Sequence, residues 1–145
     1  MINIIVGTET GTAEYVADEI HALFEQNQLT ADITLSPDIT DIEKMTHCIV
    51  CTSTHGAGDI PQNLQSFVLS IQQNNPDLSH LQFVVIALGD SSYDTYCQAG
   101  KSVFSLFESH KANALIPLIT IDAMDDELPE DIVLPYLINK IELFK

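Results

Sequence analysis

S-T-H-G-A-G-D-I-P-Q-N, residues 53–63, is the stretch that decides the fold. It follows an apolar run at residues 48–52 that is typical of a buried strand, and residues 64–71 repeat apolar side chains at helical spacing. The stretch is therefore predicted to be a loop between the carboxyl end of a strand and a helix. Gly56 and Gly58 would let a flat ligand approach the backbone amides. An ordinary tight connection would use the same glycines, so this loop alone leaves both interpretations open.

Short apolar runs and amphipathic segments alternate along the rest of the chain. Strands are predicted at residues 2–6, 31–35, 48–52, 83–88 and 115–121, and the helices after them include segments 39–45, 62–74 and 132–143. This alternation predicts an α/β fold, a three-layer sandwich with a five-stranded parallel sheet in the order 2-1-3-4-5. Residues 1–145 are expected to form one domain.

The first strand is followed by T-E-T-G-T-A, residues 8–13, directly before a helix. Helix-start amides and threonine hydroxyls are the chemistry of a phosphate cradle. No Gly-Lys-Ser/Thr follows, and this loop contains no lysine or arginine. A monophosphate within a larger ligand therefore fits the loop better than a nucleoside triphosphate. A threonine that only caps the helix is the alternative.

The fourth strand is followed by G-D-S-S-Y-D-T-Y-C, residues 89–97. Tyr93 lies between polar residues there, which favours an exposed ring over a core position. In the predicted strand order, the loops after strands 1, 3 and 4 meet at one crevice. Three loops with ligand-binding chemistry are therefore brought to the same edge of the sheet.

Taken together, these motifs resemble the flavodoxin family over the whole chain. T-E-T-G-T-A-E is similar to its phosphate loop, S-T-H-G-A-G-D-I-P-Q-N to the loop beside the reactive edge of the flavin, and L-G-D-S-S-Y-D-T-Y-C-Q-A-G to the loop that stacks a tyrosine on the ring. The short length and the S-T-H-G-A-G-D-I-P pattern are most similar to the MioC-type, short-chain members. The resemblance implies a flavodoxin-like fold and FMN as the cofactor.

The same resemblance implies a role for each matching residue. The FMN phosphate would be held by Thr8, Thr10, Gly11 and Thr12, with the backbone of Glu9 and Ala13. The ring would lie between Tyr93 and the segment Thr54, His55 and Gly56, and Ser53, Ala57 and Gly58 of the same loop would also belong to the cofactor site. The ring and ribityl side would be lined by Leu88, Gly89, Asp90, Tyr96 and Cys97, and residues 122–126 would approach the ring.

Two residues of the second loop carry further expectations. His55 departs from the aromatic ring of many relatives, and an imidazole stacks less well and titrates near neutral pH. Gly56 would present a backbone carbonyl to flavin N5 and permit the peptide flip that favours the one-electron-reduced state. Acidic residues near the ring, Asp59, Asp90 and Asp94, would make the reduced flavin a strong reductant.

The charge balance indicates which classes of binding partner are favoured. Five Lys+Arg stand against 21 Asp+Glu, a net charge of −16. This disfavours binding to nucleic acid and to anionic membranes, and favours docking to basic protein surfaces. The expected function is an FMN electron carrier between an NAD(P)H-dependent flavodoxin reductase and redox acceptor enzymes with basic docking surfaces.

Other functions remain alternatives. A stand-alone flavin-dependent reductase of quinones or nitro groups would need a nicotinamide pocket, and no basic residue lies in the three loops. A phospho-acceptor receiver would need acidic residues after strands 1 and 3, where Gly7-Thr8 and Thr52-Ser53 stand instead. A flavodoxin-like binding module without redox activity is the third alternative.

The cysteines and histidines indicate packing rather than chemistry. Cys48 and Cys51 lie three apart within a predicted strand and should face opposite sides, as packing residues. The odd cysteine count and the absence of a secretion signal predict a cytoplasmic protein with reduced thiols. No histidine pair has ligand spacing, so no metal site is expected, and the protein is expected to be a monomer.

Overall fold

The computed structural model describes residues 1–54 and 57–145. The predictions made for His55 and Gly56 lie outside these residues. In chain order the elements are β1 Ile2–Gly7, α1 Thr12–Gln26, β2 Ala31–Thr34, α2 Ile39–Ile42, β3 His47–Thr52, α3 Gln62–Asn74, β4 Gln82–Gly89, α4 Gln98–Ser109, β5 Asn113–Ala114, β6 Ile119–Asp122, α5 Pro129–Asn139 and a 3₁₀ turn at Ile141–Phe144.

The sheet is parallel throughout and has the order β2-β1-β3-β4-β5, with β6 also paired to β4. The predicted fold class and strand order are confirmed. Ile5 pairs with Val50, and Val50 pairs with Val85, so the central strands run in register along their length. The connections from β1 to β5 each pass through a helix, as parallel pairing requires.

The fifth strand differs from the prediction of one run at residues 115–121. Its first part pairs Phe83 with Ala114, and its second part pairs Ile86 with Ile119. Four residues, 115–118, therefore stand opposite two residues of β4. Pro117 lies within this bulge, and since proline has no N–H to donate, it interrupts the ladder at the edge of the sheet.

The last helix also begins earlier than predicted, at Pro129 instead of residue 132, and it ends at Asn139. Pro129 occupies the first turn, where a proline loses no intrahelical hydrogen bond. The acidic segment that precedes the predicted start therefore contributes its last residues to the helix.

Two apolar clusters fill the space on either side of the sheet. One joins α1 and α5 to one face of the strands, and the other joins α2, α3 and α4 to the opposite face. Cys51 belongs to the first cluster and Cys48 to the second. Both thiols are free and buried, and burial raises the pKa of Cys51 to about 12 and that of Cys48 further. The prediction that these cysteines are packing residues on opposite faces is confirmed.

Within residues 1–54 and 57–145, no helix is both long and apolar enough to cross a membrane.

Helix α4 approaches β4 closely at Gly100, where an added Cβ would collide with the Cβ of Ala87. Replacement of Gly100 by alanine is expected to lower the free energy of unfolding by about 1–3 kcal/mol, since a packed core has no room for the extra methyl group. Urea unfolding measures this loss. The matched variant is Ala87→Gly combined with Gly100→Ala, which should lose less than the sum of the two single variants. An unchanged unfolding midpoint in Gly100→Ala would contradict the packing described.

Candidate functional site

A cavity of about 380 Å³ opens at the carboxyl ends of the strands. This size lies within the range of small-molecule sites, which runs from about 300 to 1,000 Å³. Its walls combine hydroxyls and one carboxylate with aromatic and aliphatic groups. The lining residues are Thr10, Thr12, Ser53, Thr54, Leu88, Gly89, Asp90, Tyr93, Thr95, Tyr96, Ile121, Ala123 and Pro129.

The loop between β1 and α1 presents an open helix start to this cavity. Gly11 caps α1 with φ 97°, a left-handed conformation that favours glycine, and no side chain of residues 1–54 or 57–145 caps the helix amides. The Gly11 amide donates to the Thr8 hydroxyl at 2.9 Å, which fixes the turn from inside. A Cβ on Gly11 would meet no atom within 4 Å, and Thr10 and Thr12 are exposed beside it. The uncapped amides and the free hydroxyls suit a phosphate group.

Glu9 turns away from this cradle. Its Oε1 accepts a hydrogen bond from the Gln62 amide at 2.8 Å, at the first residue of α3. A carboxylate at a helix N-terminus is stabilised by the helix dipole. Glu9 therefore fastens the first loop to the helix that follows the second loop.

Asn63 joins three segments that are distant in sequence. Its Oδ1 accepts from the Thr8 amide at 3.0 Å, and its Nδ2 donates to the Val6 carbonyl at 2.6 Å and to the Leu35 carbonyl at 2.9 Å. One amide side chain thus holds the ends of β1 and β2 to α3. The sequence analysis included Asn63 only as the end of the second motif, and nothing local signals this role.

The loop after β4 is held by two aspartates. Asp90 accepts from the Ser92 amide at 2.9 Å and from its hydroxyl at 2.5 Å, which forms the turn that presents Tyr93. The Tyr93 side chain is 65% exposed, as predicted. Asp122, at the end of β6, accepts at 3.0 Å from the amides of Ser91 and Met124.

Hydrogen bonds from the Ser91 hydroxyl and from the Met124 and Ser91 amides hold the pKa of Asp122 below its ordinary value. A lowered carboxyl pKa stabilises the folded protein above the ordinary pKa of an aspartate, and this contribution is lost as the pH falls through the lowered value. Asp122 therefore keeps the third loop in place across the neutral range.

The back of the cavity is a close contact between Gly89 and Cys97. A Cβ on Gly89 would lie 2.7 Å from the Cys97 nitrogen, so a side chain cannot be accommodated there. Cys97 is buried, and its Sγ donates to the Ala87 carbonyl at 3.3 Å. Burial raises the pKa of the Cys97 thiol and also that of the Tyr96 hydroxyl. Thr54 Oγ1 accepts from the Ala99 amide at 3.3 Å, which ties the second loop to the start of α4.

The structure brings nine of the predicted site residues together on the cavity wall: Thr10, Thr12, Ser53, Thr54, Leu88, Gly89, Asp90, Tyr93 and Tyr96. The other described residues predicted for the site are not among the lining residues: Thr8, Glu9, Gly11, Ala13, Ala57, Gly58 and Cys97.

Three lining residues were not predicted: Thr95, Ile121 and Pro129, whereas Ala123 lies in the segment 122–126 that was expected to approach the ring. Thr95 lies inside the third motif, so its position could have been anticipated. Ile121 and Ala123 reach the cavity only because β6 pairs beside β4, with Leu88 opposite Ile121. Asp59 and Asp94, expected near the ring, are exposed and are not part of the described wall.

No group of three or more His, Cys, Asp and Glu side chains is placed to hold a metal ion in the part of the chain that the structure describes. His21, His80 and His110 bond to backbone carbonyls, at 3.0, 3.3 and 2.8 Å respectively.

The profile of the flavodoxin family matches residues 4–135. The chain belongs to the flavodoxin family. The family identity agrees with the strand order, with the open start of α1 and with the tyrosine-lined cavity beside it. Members of this family bind FMN, and FMN is the cofactor of this flavodoxin.

Relatives cover almost the whole flavodoxin chain. It is 34% identical to Protein MioC of Escherichia coli O157:H7 over 144 residues, which are 99% of this chain and 98% of that protein. It is 32% identical to Flavodoxin YqcA of Escherichia coli over 131 residues, 89% of this chain and 88% of that protein. A solved flavodoxin from Pseudomonas aeruginosa, a cysteine-to-alanine mutant, superposes with a TM-score of 0.88 at 29% identity and covers 99% of this chain and 97% of its own.

Replacement of Asn63 by alanine removes the three hydrogen bonds that join β1, β2 and α3. The free energy of unfolding is expected to fall by about 2–3 kcal/mol, because each bond contributes about 1 kcal/mol and the partners are partly buried. Urea unfolding of the flavin-free protein measures the loss. Asn74→Ala is the matched control, since that side chain bonds only to the Ser70 carbonyl within α3. Equal losses in the two variants would contradict the role given to Asn63.

Proposed function

We propose that this flavodoxin carries electrons from an NAD(P)H-dependent flavodoxin reductase to acceptor enzymes with basic docking surfaces. The observation that carries the proposal is the cavity at the carboxyl edge of the sheet, which joins a phosphate cradle to an aromatic wall in a chain of this family. We further propose that residues 1–145 act as one domain and that the protein works in the cytoplasm.

The phosphate of FMN would be held at the start of α1. Thr10 and Thr12 would donate from their hydroxyls, together with the uncapped helix amides, and the dipole of a 15-residue helix favours the negative charge. The Thr8 hydroxyl already accepts from Gly11, so its role is to shape the turn. No lysine is needed, since amides and hydroxyls supply the hydrogen bonds.

The ring would lie against the aromatic wall. Tyr93 is the more exposed of the two tyrosines on the cavity, and Tyr96, Leu88 and Ile121 continue the apolar surface. Lys101 places its Nζ 5.7 Å from the centre of the Tyr96 ring, on α4, and this contact supports the orientation of Tyr96. FMN supplies one- and two-electron redox chemistry when bound, while the protein orients it and sets its potential.

The rim of the cavity is acidic. Asp90 lines the wall, and Asp122 lies at the end of β6 next to it. Negative charges at this edge disfavour additional negative charge on a bound group, which favours release of electrons to an acceptor. They also favour association with basic partner surfaces, with rates that fall as salt rises.

A carrier is supported over a stand-alone reductase by the shortage of cations. The chain holds five lysines and no arginine, and Lys101, in the first turn of α4, is the lysine nearest the cavity loops. A region similar to this chain also forms 21% of a longer relative, the NADPH sulfite reductase flavoprotein of Bacillus subtilis, at 31% identity. In that relative the similar region is joined to further protein, and its name gives NADPH as the substrate. This supports NAD(P)H as the electron source, with the nucleotide bound by a separate reductase.

A comparison of the affinities for FMN and for riboflavin, which lacks the phosphate, tests the phosphate end and the ring end of the site separately. Thr10→Val and Thr12→Val are expected to weaken FMN about 10–100-fold and riboflavin less than about 2-fold, since each removes one hydrogen bond to a charged group. Tyr93→Ala is expected to weaken both ligands about 10–100-fold through lost stacking. Fluorescence titration of the flavin-free form of each variant measures its dissociation constants for FMN and for riboflavin.

Tyr15→Ala is the matched control, because Tyr15 is 53% exposed on α1 and is not among the residues that line the cavity. Equal weakening of FMN and riboflavin by the threonine variants would place the phosphate elsewhere. Unchanged affinities in Tyr93→Ala would place the ring elsewhere.

The carrier function is tested with the FMN-loaded protein, NADPH, a purified flavodoxin reductase and cytochrome c as a colorimetric acceptor. Reduction of cytochrome c is expected to need both proteins and to slow several-fold as the salt concentration rises, since the acidic rim steers docking. Steady consumption of NADPH by the flavodoxin alone would favour the stand-alone reductase. Failure to bind FMN at all would instead favour a binding module without redox activity.

A further inference from the structure

A second cavity, of about 320 Å³, lies between the loop after β2 and the side of helix α3. None of its lining residues lines the flavin cavity. Its volume is at the lower end of the range for small-molecule sites, about 300 to 1,000 Å³, which suits a single side chain better than a flavin. The lining residues are Ser36, Pro37, Asp38, Asn63, Ser66, Phe67 and Ser70.

Part of the wall of this second cavity is fixed by the fold itself. Phe67 is 4% exposed and Pro37 is buried, so both apolar groups are held by their surroundings. The side-chain oxygen and nitrogen of Asn63 are already used by the three hydrogen bonds described above. This part of the wall is therefore preformed, and its polar atoms are not available to a ligand.

The polar groups that remain in the second cavity are three serine hydroxyls and one carboxylate. The Ser36 amide donates to the Thr34 hydroxyl at 3.3 Å, and the Ser70 carbonyl accepts from the Asn74 side chain at 2.8 Å. Within residues 1–54 and 57–145, the hydroxyls of Ser36, Ser66 and Ser70 have no hydrogen-bond partner. Ser66 and Ser70 are four residues apart on α3, so their hydroxyls lie on the same side of the helix.

The charge at the second cavity is negative. Asp38 lines the cavity and is exposed. Asp41 accepts a hydrogen bond from the Asp38 amide through its Oδ2 at 3.0 Å, which places a second carboxylate beside the first residue. Neither aspartate forms an ion pair with another of the described residues. An anion is therefore disfavoured here, and a cation is favoured.

A guanidinium group matches the chemistry of the second cavity. It has five N–H donors and no acceptor, and a carboxylate and three hydroxyls can accept from it. Its flat, weakly hydrated face can also pack on Phe67 and Pro37, whereas the ammonium of lysine is compact and strongly hydrated. A metal ion matches less well, since the described part of the chain has no group of three or more His, Cys, Asp and Glu side chains that could hold one.

We propose that the second cavity receives an arginine side chain from the basic docking surface of the flavodoxin reductase. This proposal rests on the carrier function proposed above. Asn63, on the cavity wall, accepts from the amide of Thr8, the first residue of the phosphate loop, at 3.0 Å. The loop after β2 leaves the same edge of the sheet as the loops of the flavin cavity, so a partner that covers that edge reaches both cavities.

An arginine anchored in the second cavity would supply what diffuse attraction between an acidic and a basic surface does not. Attraction between charged surfaces raises the rate of encounter but is compatible with many orientations. A guanidinium bonded to Asp38 and to the serine hydroxyls has one geometry. The anchor would therefore set the orientation of the reductase over the flavin edge.

The guanidinium site is tested by NMR titration of the FMN-loaded, ¹⁵N-labelled protein with N-acetyl-arginine methylamide. A dissociation constant of about 1–10 mM is expected, with shifts centred on the amides of Ser36, Ser66 and Ser70. The citrulline analogue has a neutral group of the same shape and should bind at least about 10-fold more weakly. Asp38→Asn should weaken the arginine analogue about 3–10-fold, because it removes the charge and keeps a favourable N-cap residue for α2.

Asp18→Asn is the matched control, since it makes the same change of net charge on α1, on the other side of the sheet. It should leave the affinity for the arginine analogue unchanged. Equal binding of the arginine and citrulline analogues would overturn the guanidinium site, as would shifts centred on another surface or equal weakening by the two asparagine variants.

The docking role is tested with NADPH, a purified flavodoxin reductase and cytochrome c. Asp38→Asn and Ser66→Leu should each raise the KM for the flavodoxin about 3–10-fold and change kcat less than about 2-fold, since the first removes the carboxylate and the second fills the cavity without a change of charge. Asp18→Asn and Gln72→Leu are the controls. Gln72 is exposed on α3 and does not line the cavity.

The two measurements distinguish the possible failures. Weaker binding of the arginine analogue to Asp38→Asn with an unchanged KM would show that the cavity takes a free guanidinium compound, and would overturn the docking role. Equal KM values for Ser66→Leu and Gln72→Leu would also overturn it. Absence of reductase-dependent reduction in the unaltered protein would overturn the carrier function and the docking role together, and the analogue titration would still decide whether the cavity binds guanidinium.

Discussion

The site depends on the register of the parallel ladder between β1, β3 and β4. Gly7 pairs with Thr52, Thr52 pairs with Ala87, and Gly89 pairs with Asp122. The strands therefore end almost level, and their loops leave the sheet at one edge. A shift of one residue between two of these strands would turn the buried side chains of one strand toward the wrong apolar cluster. Burial on both faces thus fixes the register, and the register fixes the cavity.

Polar side chains then tie the loops together without using the groups that a ligand needs. Glu9 accepts a hydrogen bond from an amide at the start of α3, and Asn63 accepts one from the Thr8 amide. Thr54 accepts one from the Ala99 amide at the start of α4. Among the described residues, the start of α1 has no such side-chain partner. Amides at the starts of α3 and α4 thus have side-chain partners from distant loops, which distinguishes these two helix starts from that of α1.

The charged residues are distributed unevenly between the two edges of the sheet. Helices begin at the carboxyl edge of the sheet and end at the amino edge, and Lys44, Lys111 and Lys140 all follow helix ends. The loops of the carboxyl edge hold Asp90, Asp122 and the acidic segment before α5. The carboxyl edge is therefore rich in carboxylates, and the opposite end carries Lys44, Lys111 and Lys140. Such an asymmetric charge distribution produces a field that would orient a charged partner before contact.

The sequence by itself determined the alternation of elements, the strand order, the three loops at one edge and the exposure of Tyr93. The alternation of elements and the exposure of Tyr93 follow from local periodicity and turn chemistry. The strand order and the meeting of the loops follow from the general rules for crossovers in parallel sheets. The tertiary structure alone decided that Asn63 reaches Thr8 across 55 positions, that Ile121 enters the cavity and that the outer face of α5 stays uncovered. These features depend on which strands become neighbours and how far each side chain then reaches, and contacts between distant residues leave no local pattern in the chain.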